Sequence, residues 1–199
     1  MVYSNMSKEI LISAFSSIAH ISEEEKGILR SIFTSLKVPA RTILVTEGEI
    51  AHSVYFIIKG VARIGINCPT GEDISCYLAQ ENQWIGVYES FLTGDPSEYF
   101  VQTIEDCEFL VADRMGIQDM YDKVRNGNLI GRKLAEGFFM QTVMRLTDFY
   151  KFTPEERFQN FIEQYPGLAN RIPQHCLASF IGVKPQSLSR IKKRVFSAE

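Results

Sequence analysis

The spacing of apolar residues changes twice along this chain. Up to about Leu36 the spacing is helical: an opening helix carries Leu11 and Phe15 on its apolar side, and a second helix starts at the N-cap Ser22. Short runs rich in β-branched and aromatic residues follow, separated by turn sequences. These runs occupy residues 43–45, 54–58, 61–66, 74–78, 99–104 and 109–112. Their rhythm predicts a small antiparallel β-barrel or β-roll.

The period then returns to about 3.6 residues, which predicts one long helix from about residue 128 to residue 150. Its broad apolar side includes Ile130, Leu134, Phe138 and Met144. This surface is larger than a small barrel can cover, so packing against the same helix of a second chain is favoured. Docking of the helix on its own barrel is the alternative.

A helix-turn-helix is predicted after the long helix. Thr153-Pro154 followed by two glutamates is a strong helix start and marks a domain boundary. Further on, Gly182 permits a left-handed turn between two short helices, and Pro185 starts the second of them. Small or apolar residues such as Ala178 fill the contact between the two helices.

The outward positions of the second helix suit duplex DNA. Arg190 can donate two hydrogen bonds to guanine, and Gln186 can pair with adenine. The lysines and Arg194 would hold phosphates, and the serines would reach bases or phosphates. The candidate DNA-binding residues are Lys184, Gln186, Ser187, Ser189, Arg190, Lys192, Lys193 and Arg194. A helical hairpin with a solvated basic face is the structural alternative.

The charge distribution supports a nucleic-acid partner at this end of the chain. The formal net charge of the 199 residues is only -3. Residues 171–198 nevertheless contain six basic residues, Arg171 among them, and no acidic one, whereas the rest of the chain carries 15 basic and 24 acidic residues. An acidic body with a basic tip predicts that the tip alone meets a polyphosphate.

Other classes of function find little support. No apolar run approaches the roughly 18 residues that span a bilayer, and the first residues do not resemble a signal peptide, so a cytoplasmic protein without a membrane partner is expected. Cys68, Cys76, Cys107 and Cys176 are widely spaced, which indicates buried free thiols rather than a metal site or disulfides. Three scattered histidines do not suit a cupin-type metalloenzyme. No enzyme, metal or cofactor is therefore predicted.

Two local motifs carry a resemblance to a known family. Gly48-Glu49 with the strand and turn at residues 54–60, and Leu188-Ser189-Arg190-Ile191 in the last helix, resemble the Crp/Fnr family of bacterial transcription regulators. The order of elements agrees over nearly the whole chain. The resemblance implies an α+β fold: a β-roll (double-stranded β-helix) of the cyclic-nucleotide-binding type, a long dimerisation helix and a winged-helix-like DNA-binding domain. The expected boundaries are 1–126, 127–151 and 152–199.

The same resemblance implies partners. It predicts a homodimer on a two-fold symmetric promoter site, with RNA polymerase and an unidentified small-molecule effector as further candidates. A sensor module that binds a small molecule or a protein without binding DNA is the alternative function. The sequence contains no evident hairpin between residues 165 and 174, so the wing is expected to be short or absent.

The nucleotide site of the family departs from its pattern in this chain. Binding members carry a glycine-glutamate pair that holds the ribose and, about ten residues later, an arginine that holds the cyclic phosphate. Here Gly86 is retained, but Val87 stands at the glutamate position and Ser97 at the arginine position. Glu98 would repel a phosphate, and Glu89 is a shifted substitute for the glutamate at best. A degenerate pocket near Gly86, Glu89 and Ser97, without a response to cyclic AMP, is therefore predicted.

Overall fold

The computed structural model describes residues 2–69 and 71–197. Met1, Thr70, Ala198 and Glu199 lie outside the described residues. They include the middle of the predicted turn at residues 69–71, the first residue of the predicted domain 1–126 and the last two residues of the predicted domain 152–199. The described chain combines an antiparallel β-roll with helices before and after it. The predicted α+β class is therefore confirmed.

The β-roll consists of two four-stranded antiparallel sheets within the described residues, ordered β1-β8-β3-β6 and β2-β7-β4-β5. The strands are β1 (Thr34–Val38), β2 (Ile43–Val45), β3 (Ser53–Lys59), β4 (Ala62–Asn67), β5 (Asp73–Ala79), β6 (Trp84–Ile85), β7 (Phe100–Thr103) and β8 (Cys107–Asp113). Ile57, Ile64 and Val101 belong to one buried apolar cluster between the sheets. The alternation of apolar residues along the strands thus supplies the core of the roll.

The helices flank the roll, and a short α3 interrupts it. They are α1 (Val2–Ile18), α2 (Glu23–Ile32), α3 (Tyr88–Thr93), α4 (Arg114–Lys123), α5 (Gly127–Lys151), α6 (Pro154–Gln164), α7 (Gln174–Ile181) and α8 (Pro185–Ser197). The long helix of the prediction is confirmed as α5. Among the described helices, none combines the length and the hydropathy that a membrane span requires.

The end of the second helix was predicted wrongly. Helix α2 ends at Ile32, and residues predicted as its last turn form strand β1, in which Leu36 pairs with Phe109 of β8. Without β1, the outer edge of β8 would leave a row of unpaired backbone groups. This pairing over a long sequence separation outweighs the local helical spacing, which the sequence pattern alone could not reveal. Strand β6 and helix α3 were likewise missed, because each is only a few residues long.

The N-terminal helices close one end of the roll. Ser22 and Glu25 form a capping box at the start of α2, in which the Glu25 carboxylate accepts the Ser22 N–H at 2.7 Å. Phe15 of α1 stacks on Trp84 of β6, with ring centroids 6.0 Å apart. The opening helix is thereby held on the sheet by aromatic packing.

The C-terminal helices share a core with the roll. Leu78 of β5 and Val61 lie in the same buried cluster as Phe158 of α6 and Leu177 of α7. The hydroxyl of Ser179 on α7 accepts the backbone N–H of Ser75 on β5 at 3.1 Å. Helix α7 is therefore packed against a strand on one side and against the last helix on the other.

Arg171 adds an ionic connection between the roll and the C-terminal helices. Its guanidinium donates to both carboxylate oxygens of Glu81, at 2.7 and 2.9 Å, and also contacts the carboxylate of Glu105. The Arg171 hydrogen bonds hold the pKa of Glu81 at about 2, below its ordinary value of 4.5. Arg171 is one of the six basic residues assigned to the basic tip, and the structure corrects that assignment, because the charge of Arg171 is paired with Glu81 and Glu105.

The Glu81 carboxylate should make stability depend on acidity. Because its pKa is lowered in the folded chain, its contribution is complete above about pH 4.5 and is lost as the pH falls towards 2. We expect Glu81→Gln to reduce the free energy of unfolding at pH 7 by about 1 kcal/mol, allowing for solvent screening of this part-exposed pair. Between pH 5 and pH 2 the free energy of unfolding of Glu81→Gln should fall less steeply than that of the wild type, as measured by denaturant unfolding.

Glu98→Gln is the control, because Glu98 is exposed. A wild-type acid profile in Glu81→Gln would contradict an ionic connection through Arg171.

Candidate nucleic-acid interface and the adjoining cavity

The turn between α7 and α8 has the geometry that the sequence predicts. Gly182 adopts a left-handed φ of +80° and donates its N–H to the Ser179 carbonyl at 3.1 Å. Val183 donates its N–H to the Ala178 carbonyl at 2.9 Å. Ala178 is completely buried, so the helices α7 and α8 approach closely at a residue with a small side chain. Helix α8 then starts at Pro185 as expected.

Helix α8 separates apolar from polar residues. Leu188, Ile191 and Val195 are buried against α6 and α7. The residues between them face solvent, and the exposed candidates for DNA contact are Lys184, Gln186, Ser187, Ser189, Arg190, Lys193 and Arg194. Lys192 is half-buried, and its Nζ lies 6.0 Å from the centre of the Phe158 ring. The structure therefore brings the candidates onto one continuous surface, with Lys192 at its margin.

Two of these exposed candidates already have protein partners. Arg194 forms an ion pair with Glu155 of α6 at 2.7 Å, and the Ser189 hydroxyl accepts a hydrogen bond from Gln174 at 3.1 Å. Lys184, Arg190 and Lys193 form no ion pair with any other described residue. Arg190 thus presents a free guanidinium near the middle of the exposed face, whereas the charge of Arg194 is compensated.

The segment between α6 and α7 contains no β-hairpin among the described residues. A 3-10 turn, Leu168–Asn170, occupies this position after Gly167, and the last strand of the described chain is β8. A wing is therefore absent from the described residues. Backbone contacts to a nucleic acid would have to come from α7, α8 and their turns.

Helix α5 leaves the roll halfway along its length. Ile130 is fully buried, but the apolar side chains of the second half are largely exposed in the single chain. The most exposed are Phe139 (65%), Met140 (55%), Met144 (60%), Leu146 (58%) and Tyr150 (86%). The alternative in which the whole helix docks on its own roll does not hold for this half.

A cavity of about 360 Å³ lies where the roll, α5 and the C-terminal helices meet. Gly86 and Glu89, two of the residues of the predicted degenerate pocket, line it. Ser97 is not among its lining residues: it is buried, and its hydroxyl donates to the Tyr99 carbonyl and accepts the Tyr99 N–H. Ser97 thus lies beside the cavity, with its hydroxyl bonded within its own loop.

The loop that follows Gly86 contains no basic residue up to Glu98. Val87 is buried, and Glu89 and Glu98 are exposed acids. The guanidinium of Arg114 donates hydrogen bonds to the carbonyls of Phe91 and Ser90 in α3. The arginines that line the cavity, Arg145 and Arg157, come from α5 and α6.

The cysteines divide into two groups. Cys107 and Cys176 are buried free thiols, as predicted, whereas Cys68 and Cys76 are only half-buried. Burial raises the pKa of Cys107 to about 11, so its thiol stays protonated at neutral pH. Among the described residues, no group of three or more histidine, cysteine and acidic side chains is placed to hold a metal ion.

Comparisons with known proteins agree with this architecture. Residues 35–124 match the family model of the cyclic nucleotide-binding domain. Over 109 residues the chain is 28% identical to the anaerobic regulatory protein of Bacillus subtilis (strain 168), a match that covers 55% of this chain and 45% of that relative. The chain thus matches somewhat less than half the length of this relative.

Two solved structures have a similar fold. FixK2 from Bradyrhizobium japonicum is 15% identical, with a TM-score of 0.72 over 84% of this chain and 86% of FixK2. The c-di-GMP responsive global regulator CLP of Xanthomonas campestris is 16% identical, with a TM-score of 0.68 over 89% of this chain and 93% of CLP. At such identities the likeness shows the fold alone.

The turn glycine offers a test of the helix-turn-helix geometry. A side chain at Gly182 would place a Cβ 2.6 Å from Cε1 of Phe149, in addition to the strain of a left-handed φ. Gly167 has the same φ of +80° with no atom within 4 Å of such a Cβ. We expect Gly167→Ala to lower the free energy of unfolding by about 1 kcal/mol. Gly182→Ala should lower it by about 2 kcal/mol or more, as measured by denaturant unfolding. Equal losses would mean that Phe149 moves aside freely.

Proposed function

We propose that this chain, whose residues 35–124 match the cyclic nucleotide-binding domain and whose fold is that of Crp/Fnr regulators, is itself a DNA-binding transcription regulator. The resemblance noted in the sequence is confirmed at the level of family and fold. The relatives named above are called an anaerobic regulatory protein and a global regulator. These names support a regulatory binding protein rather than an enzyme.

The exposed face of α8 is the observation that carries the proposal. Arg190 projects from it without an acidic partner among the described residues, between Gln186 and Lys193 on the same face. A guanidinium fork of this kind donates two hydrogen bonds to guanine in the major groove. Lys184 and Lys193 are placed to contact phosphates on either side. We infer that α8 enters the major groove and that Arg190 reads base sequence.

We infer a homodimer that forms through the second half of α5. Phe139, Met144 and Leu146 are exposed there, and a row of exposed apolar side chains marks an interaction surface. The same helix in a second copy is the simplest cover, and it would relate two α8 helices by a two-fold axis. The target would then be a two-fold symmetric site. RNA polymerase remains an untested prediction as a further partner.

We also infer that cyclic AMP is not the effector. The position of the phosphate-binding arginine is taken by Ser97, which is buried and bonded within its own loop. The loop from Gly86 to Glu98 offers no basic side chain to a cyclic phosphate, and the carboxylate of Glu89 lines the cavity beside Gly86. Desolvating a phosphate under these conditions is unfavourable.

Selection of bound sequences from a random duplex library tests DNA recognition directly. The purified wild type should recover a two-fold symmetric motif with half-sites about one helical turn apart. Arg190→Ala should relax the preference at one position of each half-site and weaken binding by about 1–3 kcal/mol per half-site. Binding is measured by fluorescence anisotropy on the selected duplex.

Arg132→Ala is the matched control, since it removes an equally exposed arginine on α5, far from α8 in the chain. The control should bind like the wild type. An unchanged sequence profile in Arg190→Ala would refute the base contact, and recovery of no motif by the wild type would favour a sensor without DNA binding.

Thermal unfolding tests the inference on cyclic AMP. A ligand that binds only the folded chain raises the melting temperature in proportion to its occupancy. We expect about 1 mM cyclic AMP to leave the melting temperature of the full chain unchanged. A concentration-dependent rise would overturn the inference drawn from Val87 and Ser97.

A further inference from the structure

Arg145 is unusual among the arginines of this chain. It lies on α5 with its guanidinium stacked 3.4 Å from the centre of the Phe180 ring, and its Nη2 donates to the Phe180 carbonyl at 3.1 Å. Among the described residues, its Nη1 is the one buried side-chain nitrogen or oxygen without a hydrogen-bond partner. Arg145 as a whole is half-buried, but this nitrogen is inaccessible to water. An inaccessible donor without a partner is costly, so a binding role would explain why it is present.

Neighbouring arginines are satisfied by the protein. Arg157, in the same cavity wall, donates to the carbonyls of Ile181 at 2.9 Å and Phe152 at 2.8 Å. Arg63 is buried but pairs with Asp73 at 2.7 Å. The fold therefore provides hydrogen-bond or ion-pair partners for these other guanidinium groups. Arg145 has such a partner for Nη2 but none for Nη1.

The Arg145 charge persists in this environment. Burial lowers its pKa to about 10, which still leaves the guanidinium protonated at neutral pH. Asp148 and Glu89 line the same cavity, but neither forms an ion pair with Arg145 in the part of the chain that the structure describes. The cavity thus contains a half-buried positive charge without an ion-pair partner from the described residues.

Aromatic side chains form a large part of the remaining cavity wall. Tyr77, Phe138, Phe161, Tyr165 and Phe180 line it. Burial raises the pKa of Tyr77 to about 12, so its hydroxyl stays protonated and donates to the side-chain carbonyl of Gln141 at 3.2 Å. Flat apolar walls around one cation suit a flat ring that carries a negative group. A cavity of about 360 Å³ suits a small molecule rather than a peptide.

We propose that the Arg145 end of the cavity binds a small aromatic anion, a planar ring bearing a carboxylate or a phosphate. The anionic oxygen accepts a charge-assisted hydrogen bond from Nη1, and the ring packs among Tyr77, Tyr165 and Phe180. The site is built by three parts of the molecule: β5, helix α5 and the C-terminal helices. It lies at Arg145 rather than at the loop around Ser97, where the family's phosphate-binding arginine would stand.

Such a ligand would act on the C-terminal helices. Phe180 and Ile181 are the last residues of α7, directly before the turn that positions α8, and both line the cavity. A ligand bound to Arg145 would bias the packing of α7 on α5 and the roll. This regulatory consequence rests on the proposed DNA-binding function, whereas the binding itself does not.

Binding is tested on the full chain without DNA, so that a failure of DNA recognition cannot affect the result. The probes are benzoate and phenyl phosphate, with benzyl alcohol as the uncharged comparison, and the readouts are thermal unfolding and isothermal titration calorimetry. We expect at least one anion to raise the melting temperature saturably and benzyl alcohol to leave it unchanged. The stronger of the two anions distinguishes a carboxylate ligand from a phosphate ligand.

Two variants assign the effect to Arg145. Arg145→Met should abolish the anion-induced shift while raising the melting temperature of the free protein, because it removes an unpaired, half-buried charge. Arg145→Lys keeps the charge but loses the planar fork and should weaken binding by about tenfold or more. Arg132→Met, an exposed arginine on the same helix, should behave like the wild type.

Three results would overturn the proposal: an unchanged melting temperature with both anions, a shift that persists in Arg145→Met, or weaker self-association of Arg145→Met in sedimentation velocity. The last result would show that a second copy of the chain, rather than a small anion, is the partner of Nη1.

Discussion

Helix α7 is the element on which the rest of this structure depends. It must pack on strand β5, through Leu177 and the hydrogen bond between Ser179 and Ser75, and at the same time against α8. Both contacts bury its apolar residues, with Ala178 and Ile181 almost inaccessible. Because α7 is enclosed in this way, α8 is left on the outside with its polar face towards solvent. The docking of α7 therefore decides which surface can meet a partner.

Electrostatics divides the basic residues of the C-terminal region into two groups. Arg171 and Arg194 are held by acids, Glu81 and Glu105 in the first case and Glu155 in the second. Their charges stabilise the packing of the helices and contribute little to an external field. Lys184, Arg190 and Lys193 are exposed and carry the positive potential of the tip. The net charge of a segment therefore overstates the positive charge that is available to a partner, because ion pairs within the fold compensate part of it.

The cavity beside Arg145 connects the three parts of the chain. Its walls come from the roll, from the dimerisation helix of the proposal and from α6 and α7. A ligand there would contact the element that places α8, whereas a ligand near Ser97 would contact only a loop of the roll. A site at the junction can change the relative energies of two arrangements of these parts, which is the requirement for coupling between a sensor and a DNA-binding surface.

The sequence by itself determined the class of fold, the long helix α5, the helix starts at Ser22 and Thr153 and the turn at Gly182, because each rests on local periodicity or on the conformational preference of one residue. It also placed the polar face of α8 correctly, since inward and outward positions of a helix follow from spacing. Only the tertiary structure decided that the segment around Leu36 is a strand, that Arg171 and Arg194 are paired, that Ser97 lies beside the pocket, and that Arg145 holds an inaccessible, unpaired nitrogen. These features depend on contacts between residues far apart in the chain, and no local pattern specifies the energy of such contacts.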